Sequence, residues 1–230
     1  MEVDLCPLPE DRVYDLEHDV WWADEPEGGT ARVGVLSVLA AFAGPFRSLA
    51  FRPLEGPIAR GRSVATIEST RFTGAVRLPV DAVVIDRNDR VAERPRLLND
   101  APYTDGWVVR VRPVDPGAPR RLLEPAAAVA PRLEERIRKQ RIRCWPATPD
   151  LELNEVGLEC SAILARLREA MAPRPAGEAI LLVTDDPTSP IEIVRWTDQS
   201  GHTLLASRKD GSLYQFLLRK EADPRPRVRR

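Results

Sequence analysis

Thiols are the most reactive groups this sequence offers, and three are present: Cys6, Cys144 and Cys160. Cys160 stands where a helix should begin. Ile163, Leu164, Leu167 and Met171 follow it at i, i+1, i+4 and i+8, the spacing of one apolar helical face. A cysteine at a helix start meets free backbone N–H groups and the positive end of the dipole, which favour the thiolate. The thiolate is the form that attacks a sulfur donor and holds the transferred atom. Glu159 beside it works modestly in the other direction, because a like charge disfavours ionisation. The alternative for the same position is an inert cysteine capping a core helix, since free cysteine is commonly buried. Cys144 lies in a proline-flanked stretch and is a candidate resolving thiol, without a geometry to support it. Cys6 sits in Cys6-Pro7-Leu8-Pro9, with no helix behind it.

Other chemistries are excluded by what is missing. Histidine occurs only as His18 and His202, too far apart in sequence to suggest a Cys/His zinc site. His18 reads as a packed or hydrogen-bonded fold residue. Three cysteines cannot all pair within one chain, and their spacing is not that of a disulfide framework. Of the 34 basic residues only Lys139, Lys209 and Lys220 are lysine, so the first 138 residues hold no primary amine beyond the N-terminus. Schiff-base chemistry and lysine-linked prosthetic groups are thereby ruled out of that stretch.

The elements that must position these groups fall into two sets. Arg32–Val35, Ser63–Ile67, Ala82–Ile85 and Trp107–Val111 are β-branched runs bounded by turn residues, which predicts a small antiparallel sandwich or barrel. A short helix is expected at Ser37–Phe42, stopped by Gly44-Pro45. Leu122, Leu123, Val129, Leu133 and Ile137 fall near helical spacing and predict a peripheral helix interrupted near Pro131. Beyond Trp145-Pro146-Ala147-Thr148-Pro149 the pattern alternates. Strand, helix, strand and a helix opening at Asp185-Asp186-Pro187 precede a hairpin turning at Asp210-Gly211. The order βαβαββ predicts two helices on one face of a four-stranded sheet.

Length and composition agree with a two-domain globular protein. A chain of 230 residues allows two small cores, and 43% hydrophobic with 30% charged residues is not the balance of a disordered chain. Its 22 prolines argue against a long helical bundle. No stretch approaches the ~18 apolar residues of a membrane span, and the acidic start is unlike a secretory signal, so the cytoplasm is the expected compartment. Residues 1–115 carry a net charge of −5 and residues 116–230 a net of +4. Neither half has the basic excess of a nucleic-acid binder. The Arg-Pro-Arg-Val-Arg-Arg run at 225–230 reads as a solvated tail.

The first half resembles the H protein of the glycine cleavage system and related lipoate-binding proteins. The residues that carry the likeness are Tyr14-Asp15-Leu16-Glu17-His18 with Trp21, Ala31–Val35, Gly61–Ser69 and Leu98-Asn99-Asp100-Ala101-Pro102-Tyr103-Thr104-Asp105-Gly106-Trp107. The resemblance implies a lipoyl-type all-β barrel or sandwich with peripheral helices, carrying lipoate on a lysine at a hairpin tip. Here the aligned stretch is Glu68-Ser69-Thr70-Arg71, and a guanidinium is no acceptor for a lipoyl amide. No lipoate and no other cofactor is therefore expected. Arg71 is read as an exposed tip residue without a role, the alternative being contact with an anion or partner.

Residues 150–220 resemble the TusA-type sulfur carriers, on Leu153-Asn154-Glu155-Val156-Gly157-Leu158-Glu159-Cys160, Gly177-Glu178, Thr184-Asp185-Asp186-Pro187 and Leu217-Leu218-Arg219-Lys220. The family pattern Gly-Leu-x-Cys-Pro-x-Pro implies a persulfide on Cys160. Both prolines are absent, replaced through Cys160-Ser161-Ala162-Ile163, which leaves the helix start less rigid. The Ser161 hydroxyl is a candidate hydrogen-bond donor to the sulfur. The Cys-Pro-x-Pro wording at Cys6 is read as coincidence.

The expected organisation is an H-protein-like domain at 1–143, a linker at 144–149, a TusA-like α+β domain at 150–222 and a basic tail at 223–230. The leading expectation is a sulfur-relay protein, a possible sulfurtransferase, with Cys160 as persulfide carrier and the first domain as docking scaffold. Its partners would be sulfur donors and acceptors of rhodanese or desulfurase type, and proteins of lipoate-linked sulfur oxidation; neither nucleic acid nor membrane is expected. A non-catalytic adaptor built from two degenerate carrier domains is the alternative.

Overall fold

Alternating burial builds the sheets of the first unit. In Ser63–Ser69, Val64, Ala65 and Ile67 are sealed from solvent. This strand pairs antiparallel with Phe46–Phe51 and Thr73–Arg77 in a three-stranded sheet. A seven-stranded sheet faces the same core, with Val13–Asp15, Val20–Asp24, Ala31–Val35, Trp107–Pro113 and Ala82–Arg87 as its main strands. The result is a sheet-rich barrel-like sandwich. Trp21 and Trp22, adjacent in one strand and so on opposite faces of its sheet, are each only 1% exposed. Gly34 is required beside them, because a Cβ there would lie 2.6 Å from the Trp21 ring.

The Leu98–Trp107 segment works as a clamp. Trp21 Nε1 donates to the Pro102 carbonyl at 3.0 Å. Asn99 donates to the carbonyls of Ala40 and Gly44 and accepts the Phe46 N–H, so it satisfies the end of the Ser37–Ala43 helix, whose last carbonyls have no partner within the helix. At the other end of that helix, the Tyr103 hydroxyl accepts the Ser37 N–H at 3.1 Å. Gly106 is fixed by space: a Cβ would sit 2.6 Å from the Leu97 carbonyl oxygen.

The computed structural model describes residues 1–223, and the basic run at 225–230 lies outside the described residues. Two compact units are present, Met1–Cys144 and Trp145 onward. The expected break near Pro131 does not occur. Helix Ala126–Gln140 runs through it, burying Val129, Leu133 and Ile137 along one face. Proline so early in a helix forfeits one backbone bond, and that continuous apolar face outweighs it. Leu122 was expected on the same face but ends a separate short helix, Ala118–Leu122, and is 48% exposed.

In the second unit the element order is β, α, β, α, β, β. Strand Ala179–Thr184 is buried along its whole length, parallel to Leu151–Asn154 and antiparallel to Leu213–Arg219, with Thr203–Asp210 at the edge. Helix Cys160–Met171 contributes Ile163, Leu167 and Met171 to one core, and helix Ser189–Ser200 contributes Ile193 and Trp196. Trp145 and Ala147 pack with Leu181, Val183 and Leu217 in a second cluster, so part of the segment expected as a linker is a packed piece of this unit. A parallel strand pair joined through a helix brings the helix N-terminus and the following turn to the same end of the sheet.

Candidate functional site

Cys160 is the first residue of its helix, preceded by Glu159 in extended backbone. The loop that leads into it is held at both ends. The Glu155 N–H donates to the Val183 carbonyl, and the buried Glu155 carboxylate pairs with Arg166 at 3.4 Å. Gly157 adopts φ +81, a left-handed position that favours glycine, and its N–H donates to Asp185 Oδ1 at 2.7 Å.

The turn from Thr184 to Ser189 forms the opposite wall. Thr184 Oγ1, fully buried, accepts the Asp186 N–H at 3.1 Å. Asp186 Oδ1 accepts the N–H and the hydroxyl of Thr188, each at 2.7 Å. The same carboxylate accepts the Cys160 N–H, and the Thr188 hydroxyl foremost holds it below the usual carboxylate range. One side chain thus ties the starts of both long helices together beside the sulfur.

The Cys160 sulfur is half-buried, and it is a free thiol. Burial pushes its pKa up, the carboxylates of Asp186 and Glu192 push it further, and the hydroxyls of Thr188 and Ser189 act in the opposite direction without reversing the balance. The expectation of a thiol poised toward thiolate is therefore corrected. The opposing charges come from the second helix start, not from the adjacent Glu159. Ser161, expected as a donor to the sulfur, is exposed on the helix surface, and the hydroxyls that meet the sulfur belong to Thr188 and Ser189. Sequence reasoning missed these two residues and Glu192. A threonine and a serine following Asp-Asp-Pro were the available signal, since such residues at a helix start turn their hydroxyls toward backbone and ligands.

The other two cysteines are joined to each other. Cys6 and Cys144 form a disulfide with a Cα–Cα distance of 5.1 Å across 138 positions of sequence. Both are buried, at 1% and 4% exposure. The reading of Cys144 as a resolving thiol does not fit this pairing. The expectation that the cysteine spacing is not that of a disulfide framework is corrected for this pair; disulfides persist mainly in oxidising compartments. No helix among the described residues is long and apolar enough to cross a membrane.

Arg71 sits at the tip between Ser63–Ser69 and Thr73–Arg77 and is exposed. Its guanidinium folds back, with Nε donating to the Ala43 carbonyl and Nη2 to the Ala41 carbonyl, each at 3.3 Å. The reading of a tip residue without a role is corrected: Arg71 caps the last turn of the Ser37–Ala43 helix. A cation at that end also meets the negative pole of the helix. Nearby, a cleft of about 230 Å³ is lined by residues that include Glu17, His18, Phe42, Phe72 and Arg136. His18 Nδ1 is 2.8 Å from Asp15 Oδ2. Asp15, Glu17 and His18 cluster closely enough to suggest a cation site, but the Arg60 guanidinium, 2.8 Å from Glu17 and 3.5 Å from Asp15, already pairs with both carboxylates.

Comparison with known proteins divides the chain in the same way. The family model described as Glycine cleavage H-protein matches residues 12–135, and the one described as Sulfurtransferase TusA matches residues 151–220. The Glycine cleavage system H protein 5 of Aquifex aeolicus is 34% identical over 146 residues, which covers 62% of this chain and 98% of that protein. The Probable glycine cleavage system H protein 2 of Sulfurisphaera tokodaii is 30% identical, covering 62% and 96%. A crystal structure of a glycine cleavage system H protein from Mycobacterium marinum aligns at 25% identity with a TM-score of 0.48, covering 54% of this chain and 98% of that one.

Proposed function

Because the chain belongs to the glycine cleavage H-protein family and carries a second unit that matches a sulfurtransferase model, we propose that it is a sulfur-relay protein in which Cys160 accepts and donates sulfane sulfur. The observation that carries this reading is the state of the three cysteines. Two are consumed in a buried disulfide, and the third is a free, half-buried thiol at a helix start. The thiolate of Cys160 attacks the outer sulfur of a donor persulfide, and the donor thiol leaves. Net, Cys160–SH and R–S–S⁻ give Cys160–S–S⁻ and R–SH, with no outside oxidant.

The first unit is the docking scaffold for partners of lipoate-linked sulfur metabolism or glycine cleavage, and it works without lipoate. A lipoyl amide needs a neutral amine, whereas Arg71 offers a permanently charged guanidinium engaged by two carbonyls. The test uses the full chain with a rhodanese or a cysteine desulfurase as donor. Intact mass should rise by one sulfur in the native protein and in Cys6→Ser, and stay unchanged in Cys160→Ser. Failure of every competent donor to load Cys160 sinks the relay reading.

One observation favours the second reading, a non-catalytic adaptor. Burial, Asp186 and Glu192 push the Cys160 thiol toward its protonated form, as a site without thiol chemistry could tolerate. Capture of partner proteins that is unchanged in Cys160→Ser, combined with no sulfur loading, would select it.

A further inference from the structure

Ser189 is sealed from solvent at 0% exposure, yet its hydroxyl has no hydrogen-bond partner. A buried polar atom left in this state costs free energy that folding would ordinarily avoid. It occupies the first position of the Ser189–Ser200 helix and is near enough to the Cys160 sulfur to favour its ionisation, although the contact does not reach hydrogen-bond geometry. Thr188 also faces the sulfur, but a hydroxyl has one hydrogen, and that of Thr188 is given to Asp186 at 2.7 Å. Of the two hydroxyls beside Cys160, Ser189 is the one whose hydrogen is not already given to a carboxylate.

We infer that Ser189 is the donor that recognises the outer sulfur of the Cys160 persulfide, so that the site is built for the loaded state and incomplete in the empty one. This deepens the sulfur-carrier reading and rests on it. Transfer adds one S–S bond, about 2 Å, to the end of the side chain, and places an anionic acceptor beside a buried donor that is unused. Two helix starts meet at that point, Cys160–Met171 and Ser189–Ser200, and each adds a positive dipole end. Asp186 and Glu192 act against the empty thiolate. A persulfide is a stronger acid than its parent thiol, so at a given pH more of the loaded form than of the empty one is anionic. The ligand class the site takes is therefore a persulfide anion.

The experiment is an exchange equilibrium between the full chain and glutathione persulfide with glutathione, in which no net oxidant is needed. The fraction of Cys160 carrying one extra sulfur is read by mass on its peptide across a series of donor ratios. The pH midpoint of persulfide ionisation is read from its near-ultraviolet absorbance. Ser189→Ala should shift the loading equilibrium about tenfold against the persulfide and raise that pH midpoint, as expected for one lost bond to a charged group. Ser189→Thr, which keeps the hydroxyl, should load like the native chain. If the alanine variant loses helical circular dichroism, the shape-matched pair Ser189→Thr and Ser189→Val takes its place and should show the same contrast. Equal loading and an unchanged pH midpoint without the hydroxyl overturn the role of Ser189 while leaving the relay intact. A native chain that takes no sulfur from either glutathione persulfide or a loaded rhodanese overturns both.

Discussion

At the scale of single residues, the sulfur of Cys160 is governed by its neighbours across the turn more than by its own helix. The raised pKa means less thiolate at neutral pH, so alkylation by iodoacetamide should be slow at pH 7 and catch up as the pH climbs beyond the ordinary free-cysteine range. Glu192→Gln removes one of the two opposing charges. The pH midpoint of alkylation should then fall, by less than an unpaired carboxylate would cause, because a like charge near a thiol disfavours ionisation and this one is already partly balanced by Arg195. A midpoint that does not move, or rises, would show that burial alone sets the thiol. The reactivity of Cys160 is thus a property of two segments 26 positions apart in sequence, counted from Cys160 to Asp186.

At the scale of elements, the hairpin tip and the Ser37–Ala43 helix form one unit. Ser69 Oγ donates to the Ala43 carbonyl at 2.6 Å, and Arg71 adds two further bonds to that helix end. Gly44 closes it at φ +74, with the Arg71 Nε 3.3 Å from where a Cβ would sit. The tip is therefore docked by its arginine. Arg71→Lys replaces a planar fork with a point donor on a flexible stem, which should free the tip and supply the missing amine. With a lipoate ligase and activated lipoate, the lysine variant should gain one lipoyl mass on the tip peptide, and the native chain none in residues 1–138. The stability cost of the change should be small, about 1 kcal/mol or less, because the bonds lost are long and exposed. Lipoylation of the native first unit would end the scaffold reading.

At the scale of the whole molecule, the disulfide joins the start of the first unit to its end. Cys6 belongs to a two-residue strand paired with Glu2–Val3, and Cys144 lies just after the Ala126–Gln140 helix. Closing so long a loop restricts the unfolded chain strongly. Cys6→Ser should lower the stability of the first unit by roughly 3–5 kcal/mol on the chain-entropy account, measured as a drop in its thermal transition. Reductant should lower the native transition toward the same value and leave the variant unmoved. A variant as stable as the native chain would show that burial of the two side chains, not the bond, does the stabilising. Loading of Cys160 should be unaffected by Cys6→Ser, since Cys160 belongs to the other unit.

Local chemistry made much of this protein legible from sequence. β-Branched runs between turn residues marked the strands of the first unit, and Ile163, Leu167 and Met171 marked the helix that Cys160 starts, because strand preference and helical periodicity follow directly from backbone geometry. The lack of lysine before Lys139 constrained the cofactor chemistry with no need of coordinates. What the sequence did not determine were relations between distant segments: the bond from Cys6 to Cys144, the fold-back of Arg71 onto Ala41 and Ala43, and the placing of Asp186, Ser189 and Glu192 around one sulfur. Hydrogen bonding and electrostatics act over a few ångströms of space, and only the packed chain turns 138 positions of sequence into 5.1 Å. The ionisation of Cys160 was misjudged for that reason: its helix was local, whereas the burial and then the charges that oppose the thiolate were brought by the fold.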